Sequence, residues 1–365
     1  MDVANRWLSL GLKFFQNVPA ELCFNDEIDM NGQLVGLGGP MDLDRIDTKL
    51  ISLLTDEPRS THRALADGLG LSESNVASRL ARLEQSNVIR VMAMVDREAV
   101  GYAHHAVFGI RISGRLPDDV AAEIVKLPEA NVVHYTFGRF HLVVTLLARD
   151  KSHLAELLEQ TIGSIPGVQD VEVCLTLDVQ QLRCDVGKLA LFGSQRLSHL
   201  PDDHTVFDDL DLGIIEALQE NGRTSFREIS RRLDAPNATI RSRVSRLEQL
   251  NSLRLVTIKD VDTLLPDVAT AYVALRVSGG QLKALVNKLC EDRATFLLMT
   301  ALGRFNLIGL IALPSRLELM DMVAKSIAPH SGVQHLEVWE IVRSYKHDLR
   351  IAADIEACRQ GWPIF

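Results

Sequence analysis

One stretch of this chain occurs twice, and the repetition limits the architectures that the chain can adopt. S-R-L-A-R-L-E-Q begins at residue 78, and S-R-V-S-R-L-E-Q begins at residue 242. Residues 43–85 align on 207–249 without a gap, with 13 identities in 43 positions. With one added residue the similarity continues to Gly-Arg-Phe at 138–140 and 303–305. Self-similarity over such a long period indicates a duplicated module rather than a chance match.

Composition places the chain among ordinary globular proteins. It has 365 residues, of which 47% are hydrophobic and 24% charged, enough for several domains with their own cores. The net charge of −9 excludes a generally basic surface but allows a local basic face. Five scattered cysteines without a CxxC pair, and the absence of a long apolar run, predict a cytoplasmic protein with no metal, no cofactor and no membrane partner.

The first part of each module predicts a helix-turn-helix. In copy one, apolar residues at helical spacing predict a helix that is closed by Pro58, then a second helix that ends at glycines. Ser72 can cap a third helix, whose buried stripe is Val76, Leu80 and Leu83. The alternating segments 88–96 and 253–261 that follow the third helices predict strands of a small wing hairpin.

The exposed face of each third helix carries side chains that can bind DNA. Arginine pairs with guanine edges or phosphates, asparagine with adenine, and serine or threonine with either. The candidates are Ser74, Asn75, Ser78, Arg79 and Arg82 in copy one, and Asn237, Thr239, Arg241, Ser242, Arg243 and Arg246 in copy two. On an isolated helix the simpler interpretation is a solvated surface, but the repeated helix-turn-helix context favours double-stranded DNA. Residues 223–254 hold eight arginines against three acidic residues, so copy two is expected to bind DNA more strongly.

The second part of each module alternates strand and helix patterns in the order β-α-β-β-α-β. This order is typical of a ferredoxin-like domain, and the predicted fold class is therefore α+β, with two tandem repeats of a winged helix-turn-helix followed by a ferredoxin-like domain. Such a sheet carries helices on one face only, so its other face needs a partner. Positions expected on that other face include Val143, Leu146, Leu307 and Leu310.

These patterns divide the chain into seven segments. They are an N-terminal arm (1–41), helix-turn-helix one (42–98), ferredoxin-like domain one (99–180), a linker (181–206), helix-turn-helix two (207–265), ferredoxin-like domain two (266–345) and a tail (346–365). The segment before Met41 is either an added arm or an over-long start assignment.

Taken together, the motifs resemble the Lrp/AsnC family of prokaryotic transcription regulators. The stretches that carry the resemblance are 43–51, 70–84 and 138–142 in copy one, and 208–215, 241–248 and 303–307 in copy two. The resemblance implies a non-enzymatic, sequence-specific DNA-binding regulator that associates with the nucleoid. Family members usually carry one copy and pair through their sheets, so this chain is expected to hold both halves of such a dimer, with the two sheets packed on each other. Further assembly into a homo-oligomer is also expected.

The resemblance also implies an effector site at the turn after the second strand of each sheet. By position, that site involves Gly138 with His141 and Gly303 with Asn306. The family has an acidic residue where this chain has His141 and Asn306, and a carboxylate is the group best suited to hold an α-amino group. The ligand is therefore an amino acid, a different small molecule, or absent, in which case these side chains are only polar residues at a strand start.

Two alternative functions remain open at this level. Sirohaem decarboxylases share the two-part architecture and act on a tetrapyrrole with His, Arg and Tyr, and His134, Tyr135 and Arg139 could supply those groups. The Arg/Pro-rich insert by which those enzymes resemble one another is missing here. The third interpretation is a DNA-compacting protein with little sequence preference.

Overall fold

The computed structural model describes residues 26–28, 34–36, 43–86, 88–95, 102, 104–182, 207–250, 252–259 and 268–347. In copy one the helices and strands are Arg45–Asp56 (α1), His62–Leu69 (α2), Glu73–Gln85 (α3), Ile89–Val95 (β3), His104–Ile112 (β4), Pro117–Ile124 (α4), Ala130–Phe137 (β5), Leu142–Ala148 (β6), Lys151–Glu156 (α5) and Val168–Leu182 (β7). Two short strands, Asp26–Ile28 (β1) and Leu34–Gly36 (β2), pair with each other before them.

Copy two repeats the same order of elements. They are Asp209–Glu220 (α6), Phe226–Arg232 (α7), Asn237–Gln249 (α8), Leu253–Lys259 (β8), Ala269–Val277 (β9), Gly279–Glu291 (α9), Thr295–Leu302 (β10), Leu307–Leu313 (β11), Arg316–Met322 (α10) and Val333–His347 (β12). Helices α5 and α10 both widen into π-helical turns, over Leu157–Ile162 and Val323–Ile327. The structure is therefore a mixed α and β chain in which the described elements of both modules correspond one to one.

Local sequence explains where the helices of the helix-turn-helix units begin. Asp44 caps α1 by accepting the Asp47 N–H, and Asp47 accepts the Asp44 N–H in return. Asp208 and Asp211 form the same reciprocal capping box at α6. Such a box satisfies two backbone donors that a helix end leaves free. The repeated D-x-x-D therefore fixes the start of both units.

The two helix-turn-helix units are joined by a strand pair that the sequence did not predict. Strand β3 of copy one pairs antiparallel with β8 of copy two, from Ile89 opposite Lys259 to Val95 opposite Leu253. The predicted wing hairpin within each copy is therefore wrong for these strands. Ala93 and Val95 of copy one pack into the core of the second unit, so pairing across copies buries apolar side chains of β3 that a solvated wing would leave exposed.

The remaining eight strands form one closed barrel that both copies build. Copy one contributes the order β5-β6-β4-β7 and copy two the order β12-β9-β11-β10. The copies join where β7 pairs with β10 and where β12 pairs with β5. Closure removes exposed strand edges, which would otherwise template pairing with other chains. The expectation that the two sheets pack on each other within one chain is confirmed.

The core has three layers at the barrel. Helices α4 and α5 cover the outside of the first half, helices α9 and α10 cover the second half, and a third cluster from both copies fills the interior. Val143 and Leu310 belong to or pack against the interior cluster, whereas Leu146 and Leu307 face the helices. The prediction placed all four on one face, which is wrong for Leu146 and Leu307 because residues an odd number apart on a strand point to opposite faces.

Several segment predictions fall outside the described residues, including most of the linker and of the tail. Strands β7 and β12 each run two residues past the predicted domain ends at 180 and 345. Within the described residues, none of the helices combines the length and the apolar character that crossing a membrane requires.

Candidate nucleic-acid interface

The third helices, α3 and α8, present equivalent polar faces. Each buries a stripe at the same repeat positions, Val76, Leu80 and Leu83 in α3 and Ile240, Val244 and Leu247 in α8. Among the predicted DNA-contacting residues, Ser74, Asn75, Ser78, Arg82, Arg241 and Ser242 are exposed, and Arg79, Asn237, Thr239, Arg243 and Arg246 are half-buried. The structure thus places all eleven on the two predicted helices, with none in the core.

Four of the predicted arginines are also held by carboxylates of their own unit. Arg79 donates to Asp44 at 2.7 Å and to Asp47 at 2.8 Å, and Arg82 pairs with Asp47 as well. The side chain of Asp47 is only 1% exposed, so its charge needs these partners. The arginines therefore tie the third helix to the start of the first.

Copy two repeats this ion cluster with the same residue types at the equivalent positions. Arg243 contacts Asp208 at 2.5 Å and Asp211 at 3.1 Å, and Arg246 contacts Asp211 at 2.5 Å. The side chain of Arg246 remains 42% exposed, so it can approach a phosphate while it stays paired. The role of these carboxylates was not predicted from the sequence. The available signal was a D-x-x-D pair followed 35 residues later by R-x-x-R in both copies.

The N-termini of the two third helices differ. Ser72 caps α3 by accepting the Asn75 N–H, and Glu73 places a carboxylate in the first turn. Helix α8 follows Pro236, has no side-chain cap and has no acidic residue in its first turn. Because the N-terminus of a helix attracts anions, a phosphate would meet less opposition at α8 than at α3.

Arg241 adds a cation to α8 that α3 lacks. Its Nε donates to Asn237 Oδ1 at 2.9 Å, and its guanidinium lies 5.3 Å from the ring centre of Phe226. The equivalent position in α3 is Ala77. Part of the greater basicity predicted for copy two, the cation of Arg241, therefore lies on the exposed face of its third helix.

The two turns predicted to bind an effector lie where the barrel halves meet. Gly138 has φ 149° and Gly303 has φ 156°, a region that favours glycine. A Cβ on Gly138 would lie 2.9 Å from the carbonyl oxygen of Val338, and one on Gly303 would lie 3.0 Å from Cys174 Sγ. Each turn therefore packs against a strand of the other copy, and glycine is needed for the close approach as well as for the backbone angle.

The polar residues of those turns are used within the fold. His141 Nδ1 accepts the backbone N–H of Ile112 at 2.9 Å. Asn306 accepts the N–H of Val277 at 2.8 Å and donates to its carbonyl oxygen at 2.7 Å. Both side chains thus continue the pairing at the end of a neighbouring strand, although neither contact tests whether a ligand binds here.

An ion cluster lies between the two turns and was not predicted. Arg139 Nη2 is 3.0 Å from Glu172 and its Nη1 is 3.7 Å from Glu337, while Arg304 is 3.7 Å from Glu172 and 3.2 Å from Glu337. Burial alone would raise the pKa of Glu337, but hydrogen bonds from His335 and Trp339, together with the two arginines, lower it. Two charges of each sign balance within this cluster, which links the copies.

The residues proposed for tetrapyrrole chemistry do not converge. His134 is 3% exposed and bonds the hydroxyl of Tyr272 at 3.0 Å, whereas Tyr135, its neighbour on β5, packs under the helices on the opposite face. Arg139 belongs to the ion cluster. Burial, followed by the nearby His347, lowers the pKa of His134 well below its ordinary value. No shared site for these three side chains exists among the described residues, nor is a group of three or more His, Cys, Asp or Glu placed there to hold a metal.

Comparison with known proteins agrees with this geometry. Residues 43–90 match a family described as winged helix-turn-helix DNA-binding, residues 207–248 match the AsnC-type helix-turn-helix domain, and residues 105–180 match the Lrp/AsnC ligand binding domain. The HTH-type transcriptional regulator FL11 of Pyrococcus horikoshii is 32% identical over 136 residues, which are 37% of this chain and 89% of the relative. FL11 of Pyrococcus furiosus is 33% identical over 140 residues, which are 38% of this chain and 92% of the relative.

Among solved structures, the sirohaem decarboxylase NirDL is similar over 86% of this chain and 97% of its own, with a TM-score of 0.60. The identity is 15%, so this likeness concerns the fold alone.

Two helix-turn-helix units on a shared barrel define a helix-turn-helix protein that is duplicated within one chain. The chain belongs to the Lrp/AsnC family of transcription regulators.

Proposed function

We propose that this regulator binds DNA in a sequence-specific manner with both helix-turn-helix units of one chain, which together act as the family's dimer. The observation that carries the proposal is the antiparallel pairing of β3 with β8, which holds α3 and α8 in one body. The barrel that both copies build also favours the proposal. We interpret each half of it as a ferredoxin-like domain, with the strand order β5-β6-β4-β7 in the first half and β12-β9-β11-β10 in the second. Paired recognition helices of this kind enter successive major grooves about one helical turn apart.

Two groups of residues have different tasks in this proposal. Polar residues on the N-terminal halves of the helices read base edges, as helix-turn-helix recognition helices do. These are Ser74, Asn75, Ser78, Asn237, Thr239, Arg241 and Ser242. The carboxylate-held arginines contact phosphates, and pairing with aspartate fixes their direction before DNA arrives. They are Arg79, Arg82, Arg243 and Arg246.

Selection of bound duplexes from a random pool tests this function. Because Ser74-Asn75 and Ala238-Thr239 differ, we expect two unlike half-sites in an imperfect palindrome. Affinity for the selected site should fall steeply with salt, since each phosphate contact releases counterions. A pool that shows no enrichment contradicts sequence-specific recognition, and uniform coating of unrelated DNA would favour compaction instead. A selected site with identical half-sites contradicts the expectation that α3 and α8 recognise different sequences.

The proposal includes a small effector at the Gly138–His141 and Gly303–Asn306 turns. Support comes from their position between the copies, where a ligand can alter how the halves meet. Neither turn carries a carboxylate at its fourth position, so an α-amino group would have to find its charge partner elsewhere. The DNA selection should be repeated with the twenty amino acids added singly. A change in the selected site, or in affinity for it, identifies an effector, and no change under any of them contradicts an amino-acid ligand.

We further propose that the chain assembles with copies of itself and acts at the nucleoid in the cytoplasm. Pairs of exposed apolar side chains occur at equivalent places near both barrel seams, namely Phe137 with Val342 and Leu302 with Leu177. Light scattering of the purified protein should give a mass above the 40.5 kDa of one chain, and Phe137→Ser with Leu302→Ser should return it to that value. A monomeric wild type contradicts this part of the proposal.

A further inference from the structure

Equivalent arginines cross between the two helix-turn-helix units. Arg59 lies in the turn before α2, and its Nη2 donates to the carbonyl oxygen of Thr224 at 2.8 Å. Arg223 lies in the same turn of copy two, and it donates to the carbonyl oxygens of Pro58 at 2.8 Å and Ser60 at 2.9 Å. Each arginine therefore binds the turn that holds the other.

Each arginine also faces the third helix of the opposite unit. Burial lowers the pKa of Arg59, and the strongest opposing influence is the charge of Glu248 on α8. Burial likewise lowers the pKa of Arg223, and Glu84 on α3 opposes it. Glu84 and Glu248 are the shared glutamates of the repeated S-R-x-x-R-L-E-Q stretch. The crossing arginines therefore interact with charges near the C-terminal ends of both recognition helices.

The crossing is not a surface contact that solvent can readily replace. Both arginines are half-buried, and the guanidinium of Arg59 lies 4.2 Å from the ring centre of Phe226. A planar guanidinium that donates to carbonyl oxygens in a fork has a fixed direction, which a lysine cannot reproduce. The paired strands β3 and β8 join the two units at one place, and the arginines join them at the turns that precede α2 and α7.

We infer that Arg59 and Arg223 are positioning residues that set the separation and relative rotation of α3 and α8, and hence the spacing of half-sites that the protein accepts. The inference rests on the proposed DNA-binding function. One added base pair moves a half-site by about 3.4 Å and rotates it by about 35°. A rigid pair of helices tolerates one spacing, whereas a loosened pair accepts several with lower affinity for the best one.

The first test measures affinity for duplexes in which the selected half-sites are separated by the preferred spacing or by one or two base pairs more or less. The variant is Arg59→Lys with Arg223→Lys, which keeps both charges. We expect its affinity at the preferred spacing to fall about tenfold, with a smaller loss at the neighbouring spacings. An equal loss at every spacing, or an unchanged profile, overturns the inference.

Arg63→Lys with Arg227→Lys is the matched control. These arginines occupy equivalent positions four residues further along, are exposed, and undergo the same chemical change. The control should keep the spacing profile of the wild type. Flattening of the profile by this control to the same degree would show that the effect does not depend on the crossing, and would also overturn the inference.

A second test needs no DNA. Spin labels on a non-natural ketone amino acid at the exposed, equivalent positions Ala81 and Ser245 report the distance between α3 and α8 without modifying the native cysteines. The wild type should give a narrow distance distribution and the double lysine variant a broader one. If the wild type binds no specific DNA, the proposed function fails, but this measurement still decides whether the arginines hold the helices. Equal widths overturn the inference.

Discussion

Helix α3 begins after a serine that caps it and has a glutamate in its first turn that opposes anions, whereas α8 begins after a proline, has no side-chain cap and has no acidic residue in its first turn. The frame around both helices is the same, because each is tied by two arginines to a capping box. Arg241, against Ala77, adds a further cation to α8. Under the proposed function, the duplication has kept the arginines that hold the recognition helix and has changed several of the residues at its N-terminal end that would read bases. We therefore expect the two units to contribute unequally to DNA binding.

The largest effect is expected when the two arginines that hold α8 to its capping box are removed. Arg243→Ala with Arg246→Ala leaves Asp211 buried without a charge partner, and we expect the free energy of unfolding to fall by about 3 kcal/mol. DNA affinity should fall as well. Adding Asp211→Asn should recover stability, measured by denaturant unfolding, because it removes the buried charge. If DNA affinity recovers together with stability, these arginines are structural only and do not contact phosphate.

Arg79→Ala with Arg82→Ala is the matched change in the first unit. It should lower stability by a similar amount, since Asp47 is buried like Asp211, but should lower DNA affinity less. Equal losses of affinity in the two double variants would show that the two units contribute equally to DNA binding.

The next effect concerns the cation that only α8 carries. Arg241→Ala should weaken binding to the selected site about tenfold, the loss of one good arginine contact with DNA. Ala77→Arg should strengthen binding through the first unit and alter the half-site that it selects. Titration of both variants against the wild-type site checks this pair. An unchanged affinity for Arg241→Ala would show that the Phe226 and Asn237 contacts hold its side chain away from DNA.

The two halves of the barrel also differ at one buried position, which is His134 in the first half and Met299 in the second. Burial and His347 lower the pKa of His134, so the folded protein leaves it neutral while the unfolded chain binds a proton below about pH 6.5. Stability is therefore complete above that pH and falls by up to about 1.4 kcal/mol per pH unit below it. His134→Met should flatten this slope in denaturant unfolding at pH 7.5, 6.5 and 5.5. Met299→Leu, the control, should not change it.

The smallest effect is expected when the first residues of the two recognition helices are exchanged. Glu73→Asn removes a carboxylate from the N-terminus of α3, and DNA affinity should rise by about two- to fivefold. Asn237→Glu should lower it by a similar factor. Both differences should shrink as salt is added, because exposed charges are screened. A difference that persists at high salt would point to a base contact rather than to the charge.

Much of the architecture could be predicted from periodicity and from the repeat. The three helices of each unit, their buried stripes and the order β-α-β-β-α-β depend on local spacing, which a single chain displays. The site was predicted only in part for the same reason. Exposed arginines on a third helix are visible in the sequence, but their pairing with Asp47 and Asp211 joins residues more than thirty positions apart. The exchange between Arg59 and Arg223 joins positions 163 to 165 apart, and no local pattern indicates it.

Local sequence patterns were enough to predict a duplicated helix-turn-helix regulator, since the S-R-x-x-R-L-E-Q stretches carry both a buried stripe and a basic face. The way in which the copies combine depends on tertiary contacts. Strand β3 completes the second unit rather than a wing of its own, the two sheets close into one barrel, and arginines cross between the reading units. Strand pairing and burial depend on which surfaces meet, and a strand's sequence specifies the faces that it offers but not the partner that covers them.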